Sequence, residues 1–156
     1  MDIPATIGAG ALSGAVMAAV LYMGIAMMPS QMKMNLLNLL GTMMFREKAM
    51  VDMAGAMSHG VMSIVFAFAH VGIYQAFDIE SSLAVWGLLF GFVHFVVSGM
   101  GMGMMPMMHP GVRSGLVQAP GMFAMNDPRA TVLGFFMLHL LFSLPVGVLY
   151  DAFGGV

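Results

Sequence analysis

The chain contains no cysteine, one tryptophan and very little charge, with five Lys and Arg against seven Asp and Glu in 156 residues. Without cysteine, disulfides, thiolate metal sites and thiol nucleophiles are excluded, and nothing indicates a redox compartment. A charged fraction of 8 % is far below the roughly 25 % of a soluble domain, which excludes an ordinary soluble fold. The net charge of −2 offers no basic face to a nucleic acid. Common catalytic sets are also missing: there is no Ser-His-acid arrangement, no pair of carboxylates within an apolar segment, no H-E-x-x-H and no phosphate loop. The protein is therefore expected not to be an enzyme. Asp2 stands where a signal peptide has its basic region, so the first apolar segment is expected to be a retained helix.

What is present is apolar surface and methionine, 60 % and 22 residues respectively. Crossing about 30 Å of hydrocarbon takes roughly 20 helical residues. Four stretches qualify, at about Ile3–Met28, Met53–Phe77, Leu83–Met105 and Ala130–Phe153. Unpaired peptide groups are too costly in lipid for anything but helices here. The expected fold is thus an all-α integral membrane protein with four transmembrane helices, one membrane domain over 1–156.

The basic residues set an expected orientation. Lys33, Arg46 and Lys48 lie between the first and second helices, and Arg113 and Arg129 between the third and fourth. The other side carries Asp2, Asp78, Glu80 and Asp151. The positive-inside rule then puts both termini outside the bacterial inner (cytoplasmic) membrane, with Tyr74, Trp86 and Tyr150 near the outer face.

An internal repeat is visible as well. A shift of 77 residues lays Ala9–Pro29 over Trp86–Pro106, so that Gly10 meets Gly87, Gly14 meets Gly91, and both copies end in MMP. The second and fourth helices match more loosely through His59 and His139, and Tyr74 and Tyr150. The chain reads as two tandem two-helix repeats, about 3–77 and 83–153, running in the same direction. Each repeat opens with a GxxxG, a spacing that lets membrane helices approach closely, so the first and third helices are expected to cross at the pseudo-axis. Between the first two crossings, Gln31–Lys48 carries apolar residues at helical spacing and is expected to be an amphipathic interfacial helix. The later connection is too rich in Gly and Pro for one, and Asp127–Pro128 reads as an N-cap and first-turn pair opening the fourth helix.

Two groups of residues could carry chemistry. His59, His94 and His139 each begin an H-x-x-x-S within an apolar helix, where the serine shares the histidine's face and can orient the ring or bond its carbonyl. Such histidines fit two readings: cofactor ligands for a haem or chlorophyll-type tetrapyrrole, or neutral side chains that bond helix to helix. His70 lacks the serine and reads as a packing or interfacial residue. The second group comprises Met27 and Met28 in the first repeat, and Met100, Met102, Met104, Met105, Met108 and His109 in the second. Thioethers with a neutral imidazole suit Cu(I) or Ag(I); methionine is equally a flexible apolar filler.

Through MSHGVMSIVFAF, GLLFGFVHFVVSGMGMGMMPMMHP, PGMFAMNDP and MLHLLFSLPVGVLYDAF, the chain resembles a family of small Met-rich, four-helix bacterial inner-membrane proteins of unassigned activity. The resemblance covers nearly the whole chain. It implies the four-helix architecture and weight on His59, His94, His109 and His139, and supplies no reaction. The expected function is a non-enzymatic membrane protein that binds or passes Cu(I). The alternative is an accessory subunit of a larger respiratory or photosynthetic complex. A small channel or transporter would need oligomerisation, since four helices rarely enclose a pore. Expected partners are membrane lipid and either further copies of the chain or a larger membrane complex.

Overall fold

The computed structural model describes residues 1–155. Four helices are long and apolar enough to cross a membrane: α1 (Ile3–Met27), α3 (Lys48–Ala76), α4 (Leu83–Gly103) and α7 (Arg129–Ala152). Between the first two lies α2 (Leu36–Gly41), and between the last two the single turns α5 (Met105–Met108) and α6 (Pro110–Arg113), followed by a 3-10 turn at Met122–Ala124. No strand occurs among the described residues. The long helices run alternately up and down, so both ends of the chain and the short 77–82 turn lie at one end of the bundle. Both long connections lie at the other.

The long helices agree with the sequence reading to a residue or two, except that α3 begins five residues early. Glu47 explains the shift: its carboxylate accepts from the amides of Ala49 and Met50 and caps the helix ahead of the apolar run. Asp2 caps α1 in the same way, accepting from Ala5 N at 2.7 Å. The expected Asp127 cap is not made; Pro128 occupies the N-cap position with no side-chain bond. Asp127 is instead partly buried, and burial pushes its carboxyl above the usual carboxylate range while nearby Lys33 pulls it down.

The helix expected over Gln31–Lys48 is six residues long. Asn35 caps it by accepting from Asn38 N, and Thr42 ends it. It packs along α3, with Leu39 and Gly41 buried. Tyr22 anchors its start by accepting from Leu37 N and donating to Asn35 Oδ1.

The glycines of the two GxxxG pairs decide the packing, though not as expected. α1 and α4 share no extended contact; α1 packs against α3 and α7, and α4 against α7. At Gly10 a Cβ would lie 2.7 Å from Ala67 Cβ, and at Gly14 it would collide with Ser63. At Gly87 it would lie 2.5 Å from the Ser143 carbonyl oxygen, and at Gly91 3.0 Å from Ser143 Cβ. Each pair of glycines therefore admits the helix that follows it in its own half of the chain, and the close approach is spent within each half instead of between them.

The end of the bundle that holds the termini is closed. Ala5, Ala9, Val71, Tyr74, Leu83 and Tyr150 form a core there, each no more than 4 % exposed. Toward the long connections the bundle opens instead, because the backbones of α3 and α4 do not approach closely and their side-chain contacts, Phe66 on His94 and Tyr74 on Phe90, lie deeper.

Candidate functional site

The gap between α3 and α4 is a cleft of about 500 Å³, floored by α1 and α7 and bordered at its mouth by α2 and α5. His59, His94 and His139 all line it, one from each of α3, α4 and α7. So do Met17 and, descending from the deep end to the mouth, Met102, Met104, Met105 and Met108. The remaining walls are almost entirely apolar. No Asp, Glu, Lys or Arg takes part.

The deep end is the most constrained part. His94 and His139 stand edge to face with ring centroids 4.7 Å apart. His139 donates from Nδ1 to the Phe135 carbonyl at 2.7 Å, which fixes its proton there and leaves Nε2 as a free lone pair. His94 is stacked on Phe66 at 3.8 Å between centroids and lies against Phe142 at 5.5 Å. Its Nδ1 is buried without a hydrogen-bond partner. An orphaned ring nitrogen in such surroundings costs about 1–3 kcal/mol, so this atom is where an added ligand gains most.

His59 is differently occupied. Its Nε2 donates to the Gly14 carbonyl at 3.0 Å, bonding α3 to α1, and Ser63 donates back to the His59 carbonyl at 2.8 Å. This is the helix-to-helix role, with Nδ1 alone left over. The expected pairing of His139 with Ser143 is not formed. Ser143 donates across the bundle to Nε2 of His70, whose Nδ1 donates to the Phe66 carbonyl. His70 is therefore a packed histidine with both nitrogens in use, and the serine four residues after His139 serves a neighbour on another helix.

The methionine-and-His109 set is divided by the fold. His109 is completely buried; Nε2 donates to the Leu39 carbonyl at 2.7 Å and Nδ1 accepts from Val112 N at 3.1 Å. It caps α6 and ties that turn to α2, with no lone pair left for a metal. Met27 and Met28 lie on the exposed surface, on a helix that does not meet α4. Met100 and Met102 separate because residues two apart on a helix point about 200° apart: Met102 is buried against Met34 and Phe135, while Met100 is 56 % exposed and faces away. Of the expected metal ligands, Met102, Met104, Met105 and Met108 share the cleft. Met17 joins them, and its signal in the sequence is its alignment with His94 under the 77-residue shift. Phe66 and Phe142 carried no such signal, since an aromatic in an apolar helix has nothing to distinguish it.

A second cavity, about 590 Å³, lies where α1 meets α7 and is lined by Val20, Leu21, Gly24 and Met28 among others. Moved by 77 positions these become Val97, Ser98, Gly101 and Met105, all of which line the first cleft. The two cavities thus share these positions of α1 and α4, while their walls on α7 and α3 do not correspond. Only one of them carries histidine.

Chemically, the cleft offers neutral nitrogen and sulfur donors in an apolar surround. Among the described residues, no group of three or more His, Cys, Asp or Glu is arranged to hold a metal ion, so a metal here would depend on thioethers. A tetrapyrrole iron with two axial imidazoles needs them on opposite faces of the macrocycle, and the edge-to-face His94–His139 pair at 4.7 Å leaves no room for that plane. No family model matches the chain, and no curated protein or solved structure is significantly similar to it. The reading of the site therefore rests on its own geometry.

Proposed function

We propose that the protein is a non-enzymatic integral membrane protein that binds a soft metal ion, Cu(I) above all, in the cleft between α3 and α4. The observation that carries this reading is the gathering of His94, His139, Met17 and Met102 around one charge-free cavity, with Met104, Met105 and Met108 leading to it from the mouth. Cu(I) takes neutral imidazole and thioether donors, whereas Mg²⁺ or Ca²⁺ would require oxygen ligands that the walls lack. His94 Nδ1 and His139 Nε2 supply the nitrogen donors. Passage across the membrane is disfavoured, because the closed core around Tyr74 and Tyr150 blocks the far half.

The same reading takes the chain as two tandem two-helix repeats in the bacterial inner membrane. The matched use of glycines in α1–α3 and α4–α7, and the four shared cavity positions on α1 and α4, support the repeat. The five Lys and Arg, all toward the long connections, support termini outside and a cleft mouth facing the cytoplasm. α2, apolar toward α3 and beside the mouth, lies at the interface on that side.

Elemental analysis of detergent-purified protein loaded with Cu(I) under reducing conditions tests the metal reading. The wild type should retain about one ion per chain, as one deep donor set implies. Replacing both His94 and His139 by Leu should abolish retention, and replacing Met104, Met105 and Met108 by Leu should slow loading more than it lowers the final amount. Copper retained by the double histidine variant at the wild-type level would refute the assignment.

A further inference from the structure

We propose that the cleft between α3 and α4 also binds a neutral, ring-headed amphiphile of the lipid-soluble quinone or phenol class. Its head oxygen meets His94 and His139, and its apolar tail lies along the slot toward the bilayer. This inference does not depend on the metal reading.

Three observations lead to it. The first is the unpartnered, buried Nδ1 of His94, a residue that lines the cleft. Buried polar groups without partners are rare and call for an explanation, and a ligand oxygen supplies one. His139 Nε2 is a second uncommitted acceptor beside it. A hydroxyl can donate to either nitrogen, and a carbonyl can accept from His94 once its proton sits on Nδ1.

The second is the charge of the walls. The five basic residues all lie outside the cleft lining, so a carboxylate or phosphate head at this depth would be desolvated with no counter-charge. Fatty acids and phospholipid heads are thereby excluded from the deep end. The polar groups that line the cleft, three imidazoles and the hydroxyls of Ser63 and Ser98, suit a small neutral head. Ser63 is already committed to the His59 carbonyl. Phe66, Phe135 and Phe142 line the cleft around the two imidazoles, and aromatic walls favour a planar ring by offset stacking or edge contact.

The third is the slot itself. The backbones of α3 and α4 stay apart, their side chains meet from Phe66 and His94 toward the end that holds the termini, and nearer the mouth Met62 and Val97, which line the cleft, are 45 % and 57 % exposed. On a helix bundle read as spanning a membrane, that exposure is to hydrocarbon, and an apolar tail can lie in the gap without leaving the bilayer. A cavity of about 500 Å³ is within the usual range of a small-molecule site. The second cavity, between α1 and α7, is also apolar but has no imidazole, so the head-binding chemistry is confined to one of the two.

The test uses full-length protein in detergent, titrated calorimetrically with a benzoquinone carrying one isoprene unit and, separately, with a fatty acid of similar length. The quinone should saturate at one per chain. His94→Leu should weaken it about ten-fold or more, the loss expected for one buried hydrogen bond. Gly101→Trp should block it as well, because Gly101 lines the cleft and a Cβ there meets nothing within 4 Å, so a larger side chain starts from open space beside the slot. An unchanged melting temperature for Gly101→Trp separates blocked binding from misfolding, and Gly101→Leu replaces it if the larger residue unfolds the chain. Ag(I) titration of the same proteins keeps the two readings apart, because the Gly101 variants leave the imidazoles and thioethers in place. Quinone binding without Ag(I) uptake overturns the metal reading alone. Failure of the wild type to bind the quinone, equal binding of the fatty acid, or quinone binding that survives both substitutions overturns this proposal.

Discussion

Replacing His109 by Ala removes the side chain that most clearly separates a structural histidine from a metal ligand. The ring is wholly buried and makes two hydrogen bonds, to the Leu39 carbonyl and from Val112 N. Each is worth about 1 kcal/mol net, and leaving the Leu39 carbonyl buried and unpaired adds about 1–3 kcal/mol. The total, roughly 3–5 kcal/mol, corresponds at about 2–4 °C per kcal/mol for a chain of this size to a melting temperature lowered by about 10 °C. His109→Asn restores an N-cap acceptor for Val112 N but is too short to reach Leu39, so it should recover about 1 kcal/mol of the loss. Thermal melting by circular dichroism in detergent, with bound copper measured on the same samples, reads both effects. Copper content should be unchanged in each variant. A His109→Ala protein that melts within about 2 °C of wild type, or one that melts normally and has lost its copper, refutes the structural assignment and returns His109 to the ligand set.

Three further outcomes follow from other parts of the fold. Gly87→Ala puts a methyl 2.5 Å from the Ser143 carbonyl oxygen and should prise α4 from α7, costing about 1–3 kcal/mol as overpacking does; Gly60→Ala meets nothing within 4 Å and should gain about 0.5–1 kcal/mol in melting experiments. Asp127 has its carboxyl raised by burial, so the stability tied to its protonated form is present below the unfolded value and lost as pH rises through the folded one. Asp127→Asn should therefore melt higher than wild type near neutral pH and converge with it below about pH 4, and a constant difference across that range would count against the assignment.

Much of the architecture was legible because the bilayer imposes it. A run of about 20 apolar residues has one way to satisfy its peptide groups in hydrocarbon, and the four long helices follow from that alone. Their ends were legible only where a cap announced them. Glu47 extends α3 because a carboxylate at that position satisfies two free amides, whereas α7 is left without a side-chain cap because Pro128, which has no capping group, takes the N-cap position and Asp127 falls one residue outside it. The short α2 was overextended by the sequence reading, since the apolar spacing of Gln31–Lys48 continues past Thr42, where the helix stops.

The candidate site was half legible. Three histidines in apolar helices are conspicuous, and all three line one cleft. Their separate duties were not readable, because a hydrogen bond such as His59 to Gly14 or Ser143 to His70 depends on which helices are neighbours. The methionine pattern misled for a similar reason. M-x-M-x-M looks like a cluster in one dimension, but helical periodicity sends Met100 and Met102 to different faces.

The sequence by itself determined that the chain forms four apolar helices joined by one short and two long connections, with its few charges at or beyond the ends of the spans. It also determined which residue types could act within the spans: neutral imidazoles and thioethers, with no thiol and no acid in a span's interior. Tertiary structure decided which of these meet. Both GxxxG pairs are locally alike, and nothing in either copy states whether its partner is the other copy or the helix that follows. Packing resolved that in favour of the following helix, which held α1 away from α4, set Met27 and Met28 apart from the later methionines, and kept the backbones of α3 and α4 apart on the mouth side of His94. Close approach is a property of two surfaces at once, and only one of them is written at any given place in the chain.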